Sequence, residues 1–236
     1  MKEILRVRDL NVFYKEKPNN KQVLYDVNFD IYEGETLGLV GESGCGKSTL
    51  SKAILGMADI VNGTIVNEDK HSQMIFQDPY GSLNPARTIG WILNEPLKNM
   101  TELDKDARKT EVLSMLKRVG LSEDYYDRKP SKLSGGQRQR ISIAAALLAK
   151  PKLIIADEPV SALDVTIGRQ IMDLMQELQD ELKVSYLFIS HDINVVYHMC
   201  DRLMVMKQGR IEEIGNRDDI FRNPKSEYTR QLIMTD

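Results

Sequence analysis

The sequence predicts an α/β protein with a mostly parallel core sheet, an N-terminal antiparallel β subdomain and an inserted helical subdomain. Three observations predict it. Short apolar runs alternate with helical patterns over most of the chain, the arrangement that gives parallel strands joined by helices. The first 32 residues differ, holding two extended segments around a polar loop. Between Asp78 and Pro151 the strand signal fades and helical stripes take over.

Each element follows in order. Ile4 to Phe13 and Val23 to Tyr32 read as antiparallel strands flanking the polar loop Lys15 to Lys21. Glu33-Gly34 turns the chain into a buried strand, Thr36 to Val40, which leads through a glycine-rich loop to a helix from about Lys47 to Met57. Gly63 to Val66 and Gln73 to Phe76 are two further strands. Val112, Leu113, Leu116 and Val119 form the apolar stripe of a helix over Asp106 to Val119, and Gln137 to Ala149 is also helical. The core resumes with the strand Leu153 to Ala156, a long amphipathic helix from Thr166 to Leu182, the strand Ser185 to Ser190 and a helix at Ile193 to Met199. A hairpin over Arg202 to Ile214 turns at Gln208-Gly209, and Asp218 to Met234 is mostly helical. The domain reading is one domain over 1–236, with a core of 1–77 and 152–236 and a helical subdomain of 78–151.

Bulk properties exclude several classes. The chain has 236 residues, 42% hydrophobic and 28% charged, within the range of globular proteins. A formal net charge of −3 argues against non-specific nucleic-acid binding. The longest strictly apolar run, Ile143 to Ala149, is seven residues, where a membrane span needs roughly 18. MKEILRVRDL lacks the apolar core of a signal peptide, so the chain is expected in the cytosol with any membrane role exercised through a partner. Cys45 and Cys200 have no metal-ligand spacing and read as reduced thiols.

Gly41 to Thr49 fits G-x-x-x-x-G-K-[ST] after a buried strand and before a helix. Gly41, Ser43, Gly44, Cys45 and Gly46 form a loop whose N–H groups can turn inward around phosphates, aided by the polarity of the helix N-terminus. Lys47 would reach the β- and γ-phosphates of ATP, Ser48 would ligate Mg²⁺ and Thr49 completes the motif. Asp157 ends an apolar strand, where open α/β sheets place ligand-binding groups, and would hold Mg²⁺ directly or through water. Glu158 would polarise the attacking water as general base. His191 follows another apolar strand and could donate a hydrogen bond to the γ-phosphate, in either charge state. His71 and His198 have no such context.

The order phosphate loop, FQDP, LSGGQ, DEP, SALD and SHD resembles an ATP-binding-cassette (ABC) ATPase from end to end. The resemblance implies a P-loop NTPase (RecA-like) core. It also implies that Tyr14 stacks on adenine, with Phe13 as the competing residue on the opposite face of the strand, and that Gln77 contacts Mg²⁺ and the attacking water. Ser161 to Asp164 would cross a dimer interface. Ser134, Gly135, Gly136 and Gln137 would close over the γ-phosphate bound to a second subunit, with a hydroxyl, close backbone approach and a helix N-terminus.

FQDPYGSLNPARTIG (Phe76 to Gly90) with Glu95-Pro96, DEPVSALDVTI (Asp157 to Ile167) and the tail Ile220 to Leu232 resemble importers for oligopeptides, dipeptides and nickel. The resemblance implies a second ATPase subunit, a paralogue or a copy of this chain. It implies two integral-membrane permeases, an extracellular solute-binding protein and a location on the inner face of the cell membrane. Peptide is the first substrate choice, nickel or another chelated metal the second. A soluble ABC ATPase of assembly, repair or translation is the rival reading, and a non-catalytic cassette is opposed by intact Lys47, Gln77, Glu158, Ser134 and His191. Val66 to Gln73 is shorter than in relatives, so a smaller β subdomain is expected. The end at Asp236 leaves no cysteine cluster, so no iron–sulfur centre is expected.

Overall fold

A computed structural model describes residues 2–17 and 19–234. Pro18 of the polar loop and the last two residues, 235 and 236, therefore lie outside the described residues. β1 (Glu3–Tyr14), β2 (Lys21–Tyr32) and β4 (Ile60–Asn67) form an antiparallel layer in the order β2-β1-β4. The main sheet runs β5-β6-β7-β3-β8-β9, with β3 at Thr36–Val40, β5 at Gln73–Ile75, β6 at Leu153–Asp157, β7 at Ser185–Ile189, β8 at Arg202–Lys207 and β9 at Arg210–Asn216. All of its pairings are parallel except β8–β9, a hairpin that turns at Gln208-Gly209 with both residues at positive φ.

The apolar runs are continuous rather than alternating because the central strands are covered on both faces. Leu37, Leu39, Leu153, Ile155, Leu187 and Ile189 face the antiparallel layer and α1 (Lys47–Ile54). Ile154, Ala156, Tyr186 and Phe188 face the helices on the other side. Those helices include α5 (Gly135–Leu148), α6 (Val165–Leu182) and α7 (Ile193–Met199). Among them α6 is amphipathic, burying Gly168, Ile171, Leu174, Met175 and Leu178.

Between β5 and β6 the chain forms α2 (Pro79–Ser82), α3 (Ile89–Met100), α4 (Lys105–Arg118), two short 3₁₀ turns and α5. Asp78, Thr88, Asp104 and Ser134 cap these four helices, each side chain accepting a backbone N–H of the first turn. α3 had no separate expectation in the sequence. It holds Pro96 in its interior and is kept helical by buried Ile89, Ile92, Leu93 and Leu97, one face of a helix.

Several boundaries move. α1 stops at Ile54 instead of Met57, since Gly56 takes positive φ. β4 begins at Ile60, three residues before the expected strand, paired along β1. α5 begins at Gly135 rather than Gln137, because Ser134 caps it and the two glycines become its first turn. The tail is two helices, α8 (Arg217–Arg222) and α9 (Glu227–Met234). The short β4–β5 connection is tied to the core by buried Asp69, whose carboxylate accepts the N–H groups of Lys152 and Leu153 at 2.7 and 3.0 Å.

Candidate active site

Four sequence motifs meet at the carboxyl edge of the parallel strands. Gln77 follows β5, Asp157 ends β6 with Glu158 next to it, His191 follows β7 and the phosphate loop follows β3. In an open α/β sheet this edge is where ligands bind. A cleft of about 270 Å³ opens here, lined by Val23, Ser43, Gly44, Gly46, Lys47, Ser48, Thr49, Gln77, Asp157 and Glu158.

The loop is shaped by close packing. Gly41 is buried against β8, and a Cβ there would run into the Met206 carbonyl oxygen. Gly46 at φ +116° ends the loop and opens α1, whose first N–H groups have no partner within the helix. Lys47 Nζ donates to the carbonyls of Gly41 at 2.6 Å and Glu42 at 3.0 Å. Cys45 lies beneath, buried. Burial pushes its thiol pKa up, opposed by the Lys47 ammonium nearby. Its backbone N–H donates to the Glu42 carbonyl at 3.2 Å.

Glu158 takes φ +48°, an unusual conformation for a side chain with a Cβ, which costs of order 1–3 kcal/mol. The turn is held by its N–H on the Ile189 carbonyl at 2.9 Å and by the Ser161 hydroxyl on its own carbonyl at 3.1 Å. The carboxylate is gripped from two sides. Gln77 Nε2 donates to Oε2 at 2.9 Å, and His191 Nδ1 lies 3.0 Å from Oε1. Burial raises the pKa of neighbouring Asp157, Glu158 raises it further and Lys47 opposes both. A cation beside Asp157 would offset that cost.

Tyr14 and Thr49 join through their hydroxyls at 3.2 Å, which sets the tyrosine beside the start of α1. Ser134, Gly135, Gly136 and Gln137 are absent from the cleft lining of their own chain. They form the first turn of α5, next to the start of α6, and a Cβ at Gly136 would run into Ile167. Gln137 has both side-chain ends engaged within the chain: Oε1 accepts the Ser134 N–H at 2.9 Å and Nε2 donates to the Tyr125 hydroxyl at 2.7 Å. Ser134 and Gln137 thus complete a capping box that leaves the Ser134 side chain exposed.

Two residues at the site were not anticipated. Val23 lines the cleft from β2, and its only signal is its place in an alternating strand. Tyr228 reaches the phosphate loop from α9, donating no sequence signal because the contact spans 186 positions. Among the described residues no cluster of three His, Cys, Asp or Glu could hold a metal ion. No helix among them is long and apolar enough to cross a membrane.

The fold and the edge-on cleft define a phosphate-loop nucleotide hydrolase with an inserted helical layer. The sequence model of the ABC transporter family matches residues 24–161, and the chain belongs to that family. It is an ATP-hydrolysing cassette. It is 47% identical over 228 residues to the dipeptide transport ATP-binding protein DppF of Escherichia coli K12, covering 90% of this chain and 68% of that protein. The oligopeptide transport ATP-binding protein OppF of Lactococcus lactis IL1403 is 42% identical over 255 residues, covering 99% of this chain and 80% of that protein. Among solved structures, the ATP-binding cassette MJ0796, a post-hydrolysis dimer with ADP and Pi, superposes with a TM-score of 0.79. It is 30% identical, covering 90% of this chain and 98% of that one.

Proposed function

We propose that this chain is one of two ATPase subunits that drive an ABC importer of dipeptides or oligopeptides. One observation carries the reading. The cleft brings Lys47, Ser48, Gln77, Asp157 and Glu158 together, while the chain's own signature turn stands outside it. A second subunit's signature is needed to close the site, and the dimeric MJ0796 cassette supports such an arrangement. The peptide reading rests on the transport functions named for the DppF and OppF relatives.

Each side chain then has a task. Lys47 exchanges its loop carbonyls for the β- and γ-phosphates, and the N–H groups of Ser43 to Thr49 cradle the same oxygens. Glu158 takes the proton of the attacking water. Gln77 and His191 hold its carboxylate in place, and His191 is positioned to reach the γ-phosphate with its other nitrogen. Tyr14 supplies a face for adenine. Ser48 and Asp157, with Gln77, fit Mg²⁺: each offers an oxygen donor, which the ion prefers, and it is usually held by one or two carboxylates together with substrate phosphates and water. When bound it would neutralise charge on the β- and γ-phosphates. Ser134 and the first N–H groups of α5 would serve the other subunit's γ-phosphate, and Gln137 acts by holding that turn.

Two permeases, an extracellular solute-binding protein and a place on the cytoplasmic face of the membrane complete the proposal. Growth on a dipeptide or oligopeptide as sole amino-acid source, with and without this chain, tests the reading. Loss of growth restored by the wild-type chain but not by Lys47→Ala supports it. Unimpaired uptake of di- and oligopeptides in its absence overturns it.

A further inference from the structure

The phosphate loop rests on the C-terminal third of the chain as well as on its own strand. Gly209, at the β8–β9 turn, donates its N–H to the Cys45 carbonyl at 2.8 Å. Tyr228, at the start of α9, adds a third support: its hydroxyl oxygen accepts the backbone N–H of Glu42 at 3.2 Å. Glu42 is the second residue of the loop, and its carbonyl accepts the Lys47 ammonium at 3.0 Å. A single residue therefore joins the C-terminal helix to the phosphate-binding lysine.

The tyrosine is well placed for this. It is 7% exposed, and the Lys207 ammonium from β8 sits 4.4 Å over its ring. Burial pushes its pKa up, opposed by the Glu42 N–H, so the phenol stays neutral at physiological pH. α9 is itself pinned by Glu213 on β9, whose carboxylate accepts the N–H of Lys225 at 3.1 Å and that of Ser226 at 3.1 Å.

We propose that Tyr228 is a positioning residue for ATP, holding the first turn of the phosphate loop through the Glu42 N–H and so coupling nucleotide affinity to the docking of α9. The hydroxyl touches no reacting atom. It keeps the loop in the shape that presents its remaining N–H groups, and a loop ordered in advance binds more tightly. The inference rests on ATP occupying this loop.

Tyr228→Phe removes the oxygen and keeps the ring, its burial and the stacked lysine. The loss of this part-buried hydrogen bond predicts an ATP dissociation constant and KM about 2- to 10-fold higher. The turnover number should stay near wild type, and the melting temperature should fall by no more than the few degrees that one such bond is worth in a chain of this size. A merely structural role would lower the melting temperature in the same way and leave ATP affinity unchanged. Calorimetric titration of the purified chain with ATP reads the affinity. Amide hydrogen exchange at Glu42 in the wild-type chain reads the contact without any substitution. Slow exchange at Glu42 that quickens in Tyr228→Phe, with weaker ATP binding, supports the proposal. Wild-type affinity in the variant, or a fast-exchanging Glu42 amide in the wild type, overturns it. A wild-type chain that binds no ATP overturns the reading of the cleft itself, and the proposal with it.

Discussion

Replacing Glu158 by Gln exchanges one carboxylate oxygen for an NH₂ group and leaves the shape of the side chain unchanged. The surroundings can accept that exchange. The remaining oxygen turns to Gln77 Nε2, now 2.9 Å from the carboxylate, and the new NH₂ faces His191 Nδ1, now at 3.0 Å. Both contacts survive, with the imidazole accepting. The cost in stability should therefore stay under about 1 kcal/mol, since the pair is at a solvent-facing cleft. For a chain of this size that is a fall of about 2–4 °C or less in melting temperature. Chemistry has no such remedy, because an amide does not take a proton from water. Loss of a general base predicts a turnover about 10²- to 10⁴-fold slower, or about 2.7–5.4 kcal/mol in the barrier. ATP affinity should persist, because Lys47, Ser48 and the loop N–H groups are untouched. The expected product is a long-lived ATP-bound dimer. Single-turnover hydrolysis and sedimentation with ATP and Mg²⁺ measure both quantities. Hydrolysis within threefold of wild type, on the scale of the roughly hundredfold minimum expected, would remove Glu158 from the role of base.

Further outcomes follow from other contacts. Ser134→Ala deletes the cap on α5 and should cost about 0.5–2 kcal/mol in thermal melts. In a dimer carrying it on one subunit, hydrolysis should fail at the opposite subunit's nucleotide first, which site-specific trapping would detect. Gly41→Ala sets a methyl against the Met206 backbone oxygen, and should cost about 1–3 kcal/mol along with ATP binding. Glu213 has its pKa affected first by burial, which raises it, but the N–H groups of Lys225 and Ser226 outweigh that and leave it below the ordinary value. A carboxyl with a depressed folded pKa stabilises above its unfolded pKa and loses that contribution as the pH falls through the folded one. Glu213→Gln should therefore melt lower than wild type at pH 7, and the difference should close below the ordinary glutamate range of about pH 4.3. A gap that persists unchanged into acid would refute this account of α9.

The phosphate loop, the acidic pair after β6 and the signature turn are legible from residues alone because each is a local device. Glycine spacing, a lysine at a helix start and a serine before Gly135-Gly136 carry their conformations over a few residues. The buried strands were legible too, since Leu153 to Ala156 and Ser185 to Ile189 are apolar on both faces and can only lie inside. α3 was not, because Pro96 disrupts a local helix reading that burial of Leu93 and Leu97 then restores. The grip of Gln77 and His191 on Glu158 joins residues 81 and 33 positions away, and depends on β5, β6 and β7 lying side by side.

Local chemistry in the chain was thus enough to indicate the fold class, the nucleotide loop it carries and the residues that line the cleft apart from Val23. Strand order and packing decided the rest: that Gln77 and His191 hold Glu158 and that Tyr228 supports the phosphate loop from the far end of the chain. Those contacts arise from strands aligned in one sheet and helices docked on it, and their partners are too far apart in sequence for any local pattern to register them.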